Sequence, residues 1–369
     1  MKIQFHSHGG LNESPHFMYS MKFPPKGVTY YFPANMGDVI LNMKNIKFIK
    51  TFFGLAKAFL SISGKSAANI SIPEKVPGYV KLIHSFNTIP DTDKPFIIEL
   101  EVFHSVFIGN PGDENTINLI KKLLSRPNCK KILFWTQNAY DNFNKLMDDK
   151  KILAKSMVLY PGVPLYTKNK THRIPTIGFI ARDFINKGGE FILPIMEQFV
   201  SAGKAKAIVV TNTELVGEEL LNKYKNTITF LPLMERNKLH KDIFPKIDIL
   251  FYPGFSDSFG YAMPEAMSHG IPIVTFDGCA RREIVHHCKG GYVAWGKLSK
   301  WGFLETKPVT DSEKEHASFA TMIALTNLTS NKKLWAEMSE YNYNLVKSGQ
   351  FSLAERNKKL KKVYKEALK

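Results

Sequence analysis

Residues 247–276, IDILFYPGFSDSFGYAMPEAMSHGIPIVTF, contain the pattern that decides the fold. Residues 247–252 are an apolar run of strand length that leads into a loop rich in Gly and Ser. Residues 265–269 begin a helix that Gly270 and Pro272 end, and residues 271–276 are the next apolar run. A strand, a helix and a second strand in this order predict two parallel strands joined by a helical crossover.

The same alternation runs along the rest of the chain. Further strands are predicted at residues 2–8, 28–32, 81–86, 95–100, 131–135, 156–160, 176–181, 205–211 and 227–231. Helix-length segments separate them, which is typical of a doubly wound α/β fold with parallel sheets. The stretch PGVP at 161–164 and the polar, basic segment at 167–173 have the composition of an interdomain linker. The sequence therefore predicts two Rossmann-like units with a boundary near residue 165.

Composition narrows the class of protein. A chain of 369 residues exceeds what one hydrophobic core usually organises, and 44% hydrophobic with 22% charged residues is typical of a well-packed globular chain. Three cysteines are too few for a disulfide framework, and no apolar run reaches the roughly eighteen residues of a membrane span. A cytoplasmic protein is therefore expected. The formal charge of +17 indicates an anionic partner.

Two loops that follow strands of the second unit contain candidate ligand-binding residues. Ligands of parallel sheets bind beyond the carboxyl ends of the strands, where these loops lie. The segment GFIARDFINKGGE at 178–190 places Arg182 and Lys187 before a helix that two glycines open. Two cations beside a helix N-terminus suit a diphosphate, although a solvated basic loop has the same composition. The segment DSFGYAMPEAMSHGIPIV at 257–274 places Asp257 and Glu265 where carboxylates could accept sugar hydroxyls. Glu265 could instead only complement the helix dipole.

Candidate residues also occur in the first unit. Gly9 and Gly10 follow the first strand and would let a substrate approach the backbone, or would only form a tight turn. The segment IIELEVFHSVF at 97–107 ends a buried strand with Glu99, Glu101 and His104. These three side chains could serve as an acid, a base or an acceptor-binding group. For Glu99, a structural ion pair is an equally good interpretation.

Several other classes of site are not supported. Asp91-Thr92-Asp93 lies in a loop with Pro and is interpreted as a turn rather than a metal motif. His286, His287 and Cys288 lack the spacing of zinc ligands, and no metal site is predicted. Nucleophile-elbow, P-loop and dinucleotide fingerprints do not occur in the sequence.

Taken in order, these segments resemble the retaining glycosyltransferases of family 4, also called glycosyl transferases group 1. The strongest match is residues 248–293, and GFIARDFINKGG, VLYPGVP at 158–164 and the closing FSLAERNKKLKKVYKEAL also match. The resemblance implies the GT-B architecture, with two Rossmann-like domains facing across a cleft and a C-terminal helix crossing back to the first domain. Residues 1–165 and 346–369 would bind the acceptor, and residues 166–345 would bind the donor.

The resemblance also implies a reaction. A sugar would move from a nucleotide-diphosphate sugar, UDP- or GDP-linked, to an acceptor hydroxyl with retention of anomeric configuration. The acceptor would be a glycan, a lipid-linked molecule or a protein, and neither a cofactor nor a metal would be needed. Closure of the domains would limit hydrolysis of the donor.

Roles carry over by position. The diphosphate would be held by Gly10, Arg182 and Lys187, the transferred sugar by Asp257, Ser258, Phe259 and Gly260, the ribose by Glu265, and the base by Leu231, Pro232 and Met234. Asp257 replaces the usual Glu and is one methylene shorter, and Pro232 stands where the family often has Gly. Glu101 stands at the place of a family His, so both Glu101 and His104 are catalytic candidates with Glu101 preferred. The catalytic set is completed by Asp257.

The excess positive charge lies outside the predicted donor domain. Residues 1–165 hold twenty bases and twelve acids, and residues 346–369 hold eight bases and two acids. Within residues 41–66, four lysines oppose an aromatic face: Lys44, Lys47, Lys50 and Lys57. This pattern is typical of a helix lying on an anionic membrane surface, and equally of an ordinary domain helix. A membrane-presented acceptor and peripheral membrane association are therefore expected.

Two other functions remain open at this stage. A nucleotide-sugar epimerase of the same fold would convert the donor without an acceptor. A basic nucleic-acid-binding protein would explain the charge, but the sequence has no nucleic-acid-binding motif and its two carboxylates at 257 and 265 would repel phosphates. We therefore expect no nucleic-acid partner.

Overall fold

The computed structural model of the chain describes residues 1–7, 15–31, 66–73, 77–109, 111–298, 304–305 and 307–369. Gly10 and the basic helix predicted within residues 41–66 lie outside the described residues. The chain divides into two compact units, the first made of Met1–Gly162 and Leu353–Lys369 and the second of Val163–Ser352. The sequence prediction put these boundaries near residues 165 and 346.

A six-stranded sheet forms the centre of the first unit. Its strands are β1 (Lys2–Ser7), β2 (Thr29–Tyr31), β5 (Leu82–Phe86), β7 (Phe96–Leu100), β9 (Cys129–Phe134) and β10 (Ser156–Val158). In the order β10-β9-β7-β5-β1-β2, every neighbouring pair is parallel. Short pairs flank this sheet, formed by β3 (Ser66–Ala68) with β8 (Phe107–Gly109) and by β4 (Ile70–Ser71) with β6 (Ile89–Pro90). Strands β5 and β7 are buried at every residue, as expected for strands covered on both faces.

The described helices of the first unit bury apolar faces, and three of them begin at polar caps. They are Pro15–Lys22, Glu114–Ser125, Gln137–Met147, Lys150–Leu153 and Leu353–Ala367. The side chains of Asp113 and Thr136 each accept a hydrogen bond from a first-turn backbone N–H, which satisfies donors that a helix start leaves open. The C-terminal helix packs Leu360, Val363 and Tyr364 into the same core cluster as sheet residues such as Ile97.

A buried cluster of charges joins this C-terminal helix to the sheet. Glu99, on β7, accepts hydrogen bonds from Nη2 of Arg356 at 2.9 and 3.1 Å. The Nε2 atoms of His16 and His84 lie 3.2 and 3.0 Å from the Glu99 oxygens. Nδ1 of His84 is hydrogen-bonded to the hydroxyl of Tyr364 at 2.7 Å. Of the two readings open for Glu99, the structure therefore shows a buried ion pair.

The surroundings of this cluster lower the pKa of Glu99, His16 and His84. Burial raises the pKa of Glu99, but the Arg356 charge and the two histidines outweigh burial and hold that pKa well below its usual value. Burial lowers the pKa of His16 to about 4 and also lowers the pKa of His84. The cluster is therefore an ionised carboxylate and arginine with two neutral histidines at neutral pH.

We expect the free energy of unfolding to fall as the pH drops from 6.5 towards 4. Unfolded His16 and His84 take up protons as the pH falls below 6.5, whereas burial lowers the pKa of both folded histidines and opposes this uptake, so each contributes a slope of up to about 1.4 kcal/mol per pH unit. Urea unfolding at several pH values should show a shallower slope for the double variant His16→Gln/His84→Gln. The variant His316→Gln, at an exposed position, is the control and should keep the full slope. An unchanged slope in the double variant would contradict the assignment.

The second unit is built on another six-stranded parallel sheet. Its strands are β11 (Thr176–Ile180), β12 (Lys206–Val210), β13 (Thr229–Leu231), β14 (Ile249–Tyr252), β15 (Ile273–Phe276) and β16 (Gly291–Trp295). The order is β13-β12-β11-β14-β15-β16, with every pair parallel. The hairpin of β17 (Lys297–Leu298) and β18 (Leu304–Glu305) follows.

Helices cover this second sheet. The described ones are Gly189–Ser201, Glu218–Tyr224, Arg236–Lys238, Ala262–Met267, Arg281–Ile284, Asp311–Ser330 and Lys332–Lys347. The helix after β14 begins at Ala262, three residues before the predicted start, because Pro264 fits the first turn, where its missing N–H costs nothing. The helix Lys332–Lys347 supports the sheet through Trp335 and Asn342, whose side chains donate to the backbone carbonyls of Asp248, Ile271 and Gly290. Within the described part of the chain, no helix is long and apolar enough to cross a membrane.

Candidate functional site

The candidate site of the second unit lies where its strands end. Because all six strands run in the same direction, the loops after β11, β13, β14 and β15 emerge at one edge of the sheet. Apart from Gly10 of the first unit, the residues predicted to bind a diphosphate, a sugar, a ribose and a base lie at the end of β13, on three of these loops and on the helix that follows β14. The parallel order thus brings together segments that are more than eighty residues apart in sequence, such as those of Arg182 and Glu265.

Backbone hydrogen bonds join the loop after β11 to the loop after β14. The N–H of Gly254 donates to the carbonyl of Lys187 at 3.1 Å, and the N–H of Ser256 donates to the carbonyl of Asn186 at 2.9 Å. Gly188 then opens the helix Gly189–Ser201 with a φ of 88°, where a Cβ would lie 2.9 Å from Pro253. Glycine is therefore required for this close approach of the two loops.

Lys187 and Asp257 are in contact at this edge. Lys187 Nζ lies 3.4 Å from Oδ2 of Asp257 and also donates to the backbone carbonyl of Ser256. Arg182 lies on the same loop, two residues beyond the end of β11, with an exposed side chain. Of the two predicted cations, the structure places Lys187 directly beside the predicted sugar carboxylate.

Tyr252 and Arg281 hold the Asp257 loop, and the sequence analysis did not select either residue. The Tyr252 hydroxyl donates to Oδ2 of Asp257, and Nη1 of the buried Arg281 donates to the Asp257 carbonyl at 2.7 Å. Burial raises the pKa of Tyr252 well above its usual value, and the Asp257 carboxylate raises it further. Tyr252 is therefore a neutral donor that orients the Asp257 side chain.

The other predicted sugar residues contribute mainly backbone. Phe259 is buried and its ring packs at 5.0 Å from Tyr261, so only its main chain is available to a ligand. Gly260 has a φ of 76°, and a Cβ there would lie 2.7 Å from Met263. Ser258 is partly exposed on the same loop. This loop therefore presents backbone groups next to the Asp257 carboxylate.

Glu265 is buried and paired with an arginine that sequence reasoning missed. Nη1 of Arg236 donates to both carboxylate oxygens of Glu265, at 2.6 Å for Oε1. Nε2 of His240 lies 3.9 Å from Oε1. Arg236 is the first residue of the helix that follows the loop predicted to face the base. Its position just beyond the carboxyl end of a strand was the sequence feature that could have indicated a site residue.

Stacked rings lie behind Glu265. The ring of Tyr166 stacks on His240 at 4.0 Å and on His269 at 5.0 Å. Nδ1 of His240 and Nε2 of His269 are hydrogen-bonded at 3.1 Å. Burial, together with the charge of His240, lowers the pKa of His269 to about 3. These stacked rings therefore pack together behind the Glu265–Arg236 pair.

The predicted base residues lie at the end of β13: Leu231 is its last residue, and Pro232 and Met234 follow it. Leu231 and Met234 are partly exposed and Pro232 is exposed, so an apolar surface is available next to Arg236. In the first unit, Glu101 follows the end of β7, and its backbone N–H donates to the side chain of Asn87 at 2.9 Å. His104 is exposed in the turn Phe103–Val106.

The described residues show no cluster of three or more His, Cys, Asp or Glu side chains placed to hold a metal ion. The loop with Asp91 and Asp93 is a turn in which Lys94 N–H donates to the Thr92 hydroxyl. That the reaction needs no metal stays a prediction, as do the roles predicted for the individual side chains.

Comparison with known proteins finds a family model that matches part of the second unit. Residues 174–299 match the model of the glycosyl transferases group 1. The Anabaena protein HepE in complex with UDP is 12% identical, with a TM-score of 0.64 and coverage of 99% of this chain and 100% of that chain. No curated protein matches the chain.

Two further solved structures are similar over the whole chain. A glycosyltransferase of Rickettsia africae is 13% identical, with a TM-score of 0.63 over 100% of this chain and 98% of that chain. Sucrose-phosphate synthase of Thermosynechococcus elongatus is 11% identical, with a TM-score of 0.64 over 99% and 98%. These similarities confirm the GT-B fold with two Rossmann-like domains that the sequence resemblance predicts.

We expect Tyr252→Phe to destabilise the second unit by about 1–3 kcal/mol, because the variant removes a hydrogen bond to a carboxylate. Denaturant unfolding measures this change. Tyr224→Phe is the matched control, since that ring is also buried and the described structure gives its hydroxyl no carboxylate partner. Equal stability of the Tyr252→Phe variant and the wild type would show that the hydroxyl does not hold Asp257.

Proposed function

We propose that this chain, which has the GT-B fold and matches the glycosyl transferases group 1 model over residues 174–299, transfers a sugar from a nucleoside-diphosphate sugar to an acceptor hydroxyl with retention. One observation carries the proposal. Lys187, a cation suited to a diphosphate, lies 3.4 Å from Asp257, a carboxylate suited to sugar hydroxyls, at the carboxyl edge of the matched domain.

The reaction needs charge stabilisation at the leaving group. The bond between the anomeric carbon and the phosphate oxygen breaks, and its electron pair stays on the diphosphate. The acceptor oxygen bonds to the anomeric carbon on the same face and loses its proton. Arg182, Lys187 and the N-terminus of helix Gly189–Ser201 would stabilise the departing negative charge.

Uridine diphosphate is the carrier that the comparisons favour. HepE was crystallised with UDP and with UDP-glucose, and the pneumococcal O-GlcNAc transferase GtfA with UDP and GlcNAc. We therefore propose a UDP-sugar donor for this chain. The base would contact Leu231, Pro232 and Met234, and the ribose would contact Glu265.

The first unit would bind the acceptor, with Glu101 ahead of His104 as the residue that receives the acceptor proton. Glu101 follows directly from the buried strand β7, and His104 lies three residues farther along. We also propose that no divalent metal is required, because two cations and a helix N-terminus supply the positive charge that a metal would supply.

Lys187→Gln should lower kcat/KM with a UDP-sugar by about 10²–10³, as expected for a lost donor to a developing anion. UDP release from a panel of UDP-sugars with glycan and lipid-linked acceptors measures the activity, with and without EDTA. Lys206→Gln, at the opposite edge of the same sheet, is the control and should behave as wild type. Interconversion of nucleotide sugars without an acceptor would indicate the epimerase instead. Salt-sensitive DNA binding without nucleotide-sugar binding would contradict the proposal.

We further propose that the first unit binds an anionic membrane surface and takes a membrane-presented acceptor. The helix Leu353–Ala367 turns its apolar face to the sheet and leaves lysines exposed: Lys358, Lys359, Lys362 and Lys365. Each basic side chain near an anionic leaflet contributes about 1 kcal/mol of attraction.

Flotation with anionic vesicles at low salt tests this membrane proposal. Wild type should float with the vesicles, and a variant with the four lysines of this helix changed to Gln should float less. The matched control changes four exposed lysines of the second unit: Lys223, Lys225, Lys332 and Lys333. Equal flotation of both variants would contradict a specific basic face, and failure of wild type to float would contradict the membrane partner.

A further inference from the structure

Arg236 touches the predicted ribose carboxylate and is itself assigned no role in the reaction proposed above. It is the first residue of the short helix Arg236–Lys238, which follows the loop predicted to face the base. Its Nη1 is shared between both oxygens of Glu265. Any ribose hydroxyls that bind Glu265 must therefore share those oxygens with Arg236 or replace it.

The exposure of the two partners is unequal. The Glu265 side chain is 1% exposed, whereas the Arg236 side chain is 30% exposed. A buried carboxylate without a counter-charge is strongly unfavourable, so a partner is needed whenever nucleotide is absent. Arg236 supplies that partner from the open side of the site.

The charge of Arg236 also reaches the other half of the site. Together with Arg281, it opposes the rise in the pKa of Tyr252, whose hydroxyl holds Asp257. The guanidinium of Arg236 thus pairs with Glu265, the predicted ribose carboxylate, and its charge also influences Tyr252, which holds the predicted sugar carboxylate Asp257. In a nucleoside-diphosphate sugar, the group that joins ribose to sugar is the diphosphate.

We propose that Arg236 is a third cation for the donor diphosphate, alternating between two partners. In the absence of nucleotide it neutralises Glu265, and when nucleotide binds, the ribose hydroxyls take up the Glu265 oxygens while Arg236 binds a phosphate oxygen. A guanidinium suits this exchange because its fork of five N–H donors can hold a carboxylate and a phosphate in turn or at once. The inference rests on the proposed function and adds a residue to its phosphate-binding set.

The test compares a nucleotide with its nucleoside. Calorimetric titration of the full chain with UDP and with uridine should show that Arg236→Gln weakens UDP about tenfold to a hundredfold, since a charged hydrogen bond is lost. Uridine, which has no phosphate, should change less than about threefold by the same principle. Arg236→Lys keeps the charge and should lose less UDP affinity than Arg236→Gln. Arg173→Gln, an exposed arginine before the amino end of β11, is the control and should bind as wild type.

A second pair of variants tests whether Arg236 binds phosphate directly or only serves as a structural partner of Glu265. In the Glu265→Gln background no buried carboxylate needs Arg236, so this pair also remains informative if Arg236→Gln alone is poorly folded. Adding Arg236→Gln to Glu265→Gln should still weaken UDP. If it changes nothing, Arg236 acts only through Glu265 and the inference is wrong.

The remaining outcomes are distinguishable. Equal losses for UDP and uridine, or unchanged UDP affinity in Arg236→Gln, would overturn the role of Arg236 and leave the proposed function intact. If wild type binds no uridine, guanosine or adenosine diphosphate, the proposed function fails, and the inference fails with it.

Discussion

The common direction of the strands β11 to β16 is the constraint on which the site depends. Parallel strands place all their carboxyl ends at one edge, and each connection must return through a helix to the opposite edge. The loops after β11 and β14 are neighbours for this reason, since β11 and β14 are hydrogen-bonded in the sheet. Their backbones then bond to each other, and Lys187 reaches Asp257 across seventy residues of sequence.

Two buried carboxylates differ in the exposure of their arginine partners. Glu99 and Glu265 each pair with an arginine and lie near histidines. Arg356 is 2% exposed, so the Glu99 cluster is closed to ligands and fastens the C-terminal helix to the first sheet. Arg236 is 30% exposed, so the Glu265 pair is open to solvent on the side of the arginine. The same pair of residue types is thus enclosed in one unit and accessible in the other, as the proposed ribose and phosphate contacts require.

Local patterns predicted the larger part of this architecture. Eleven of the twelve strands of the two six-stranded sheets are present where apolar runs predicted them, because burial between helices demands near-continuous apolar residues. The exception is β16 (Gly291–Trp295), which the sequence analysis did not predict. Gly188 and Gly189 correctly indicated the helix start after β11. The helix start predicted at residue 265 is three residues too late, since the helix begins at Ala262 and Pro264 fits its first turn.

The amino-acid sequence by itself determined the two doubly wound units, the family resemblance and the residue types at the strand ends. These properties follow from periodicity, turn chemistry and spacing, which act over a few residues. Only the tertiary structure decided which charges meet. Arg356 lies 257 positions from Glu99 and Arg236 lies 29 positions from Glu265, and no local signal encodes either pairing. The physical reason is that a buried carboxylate takes whichever cation the packed elements bring within hydrogen-bonding distance, and that choice is made by strand order and helix packing.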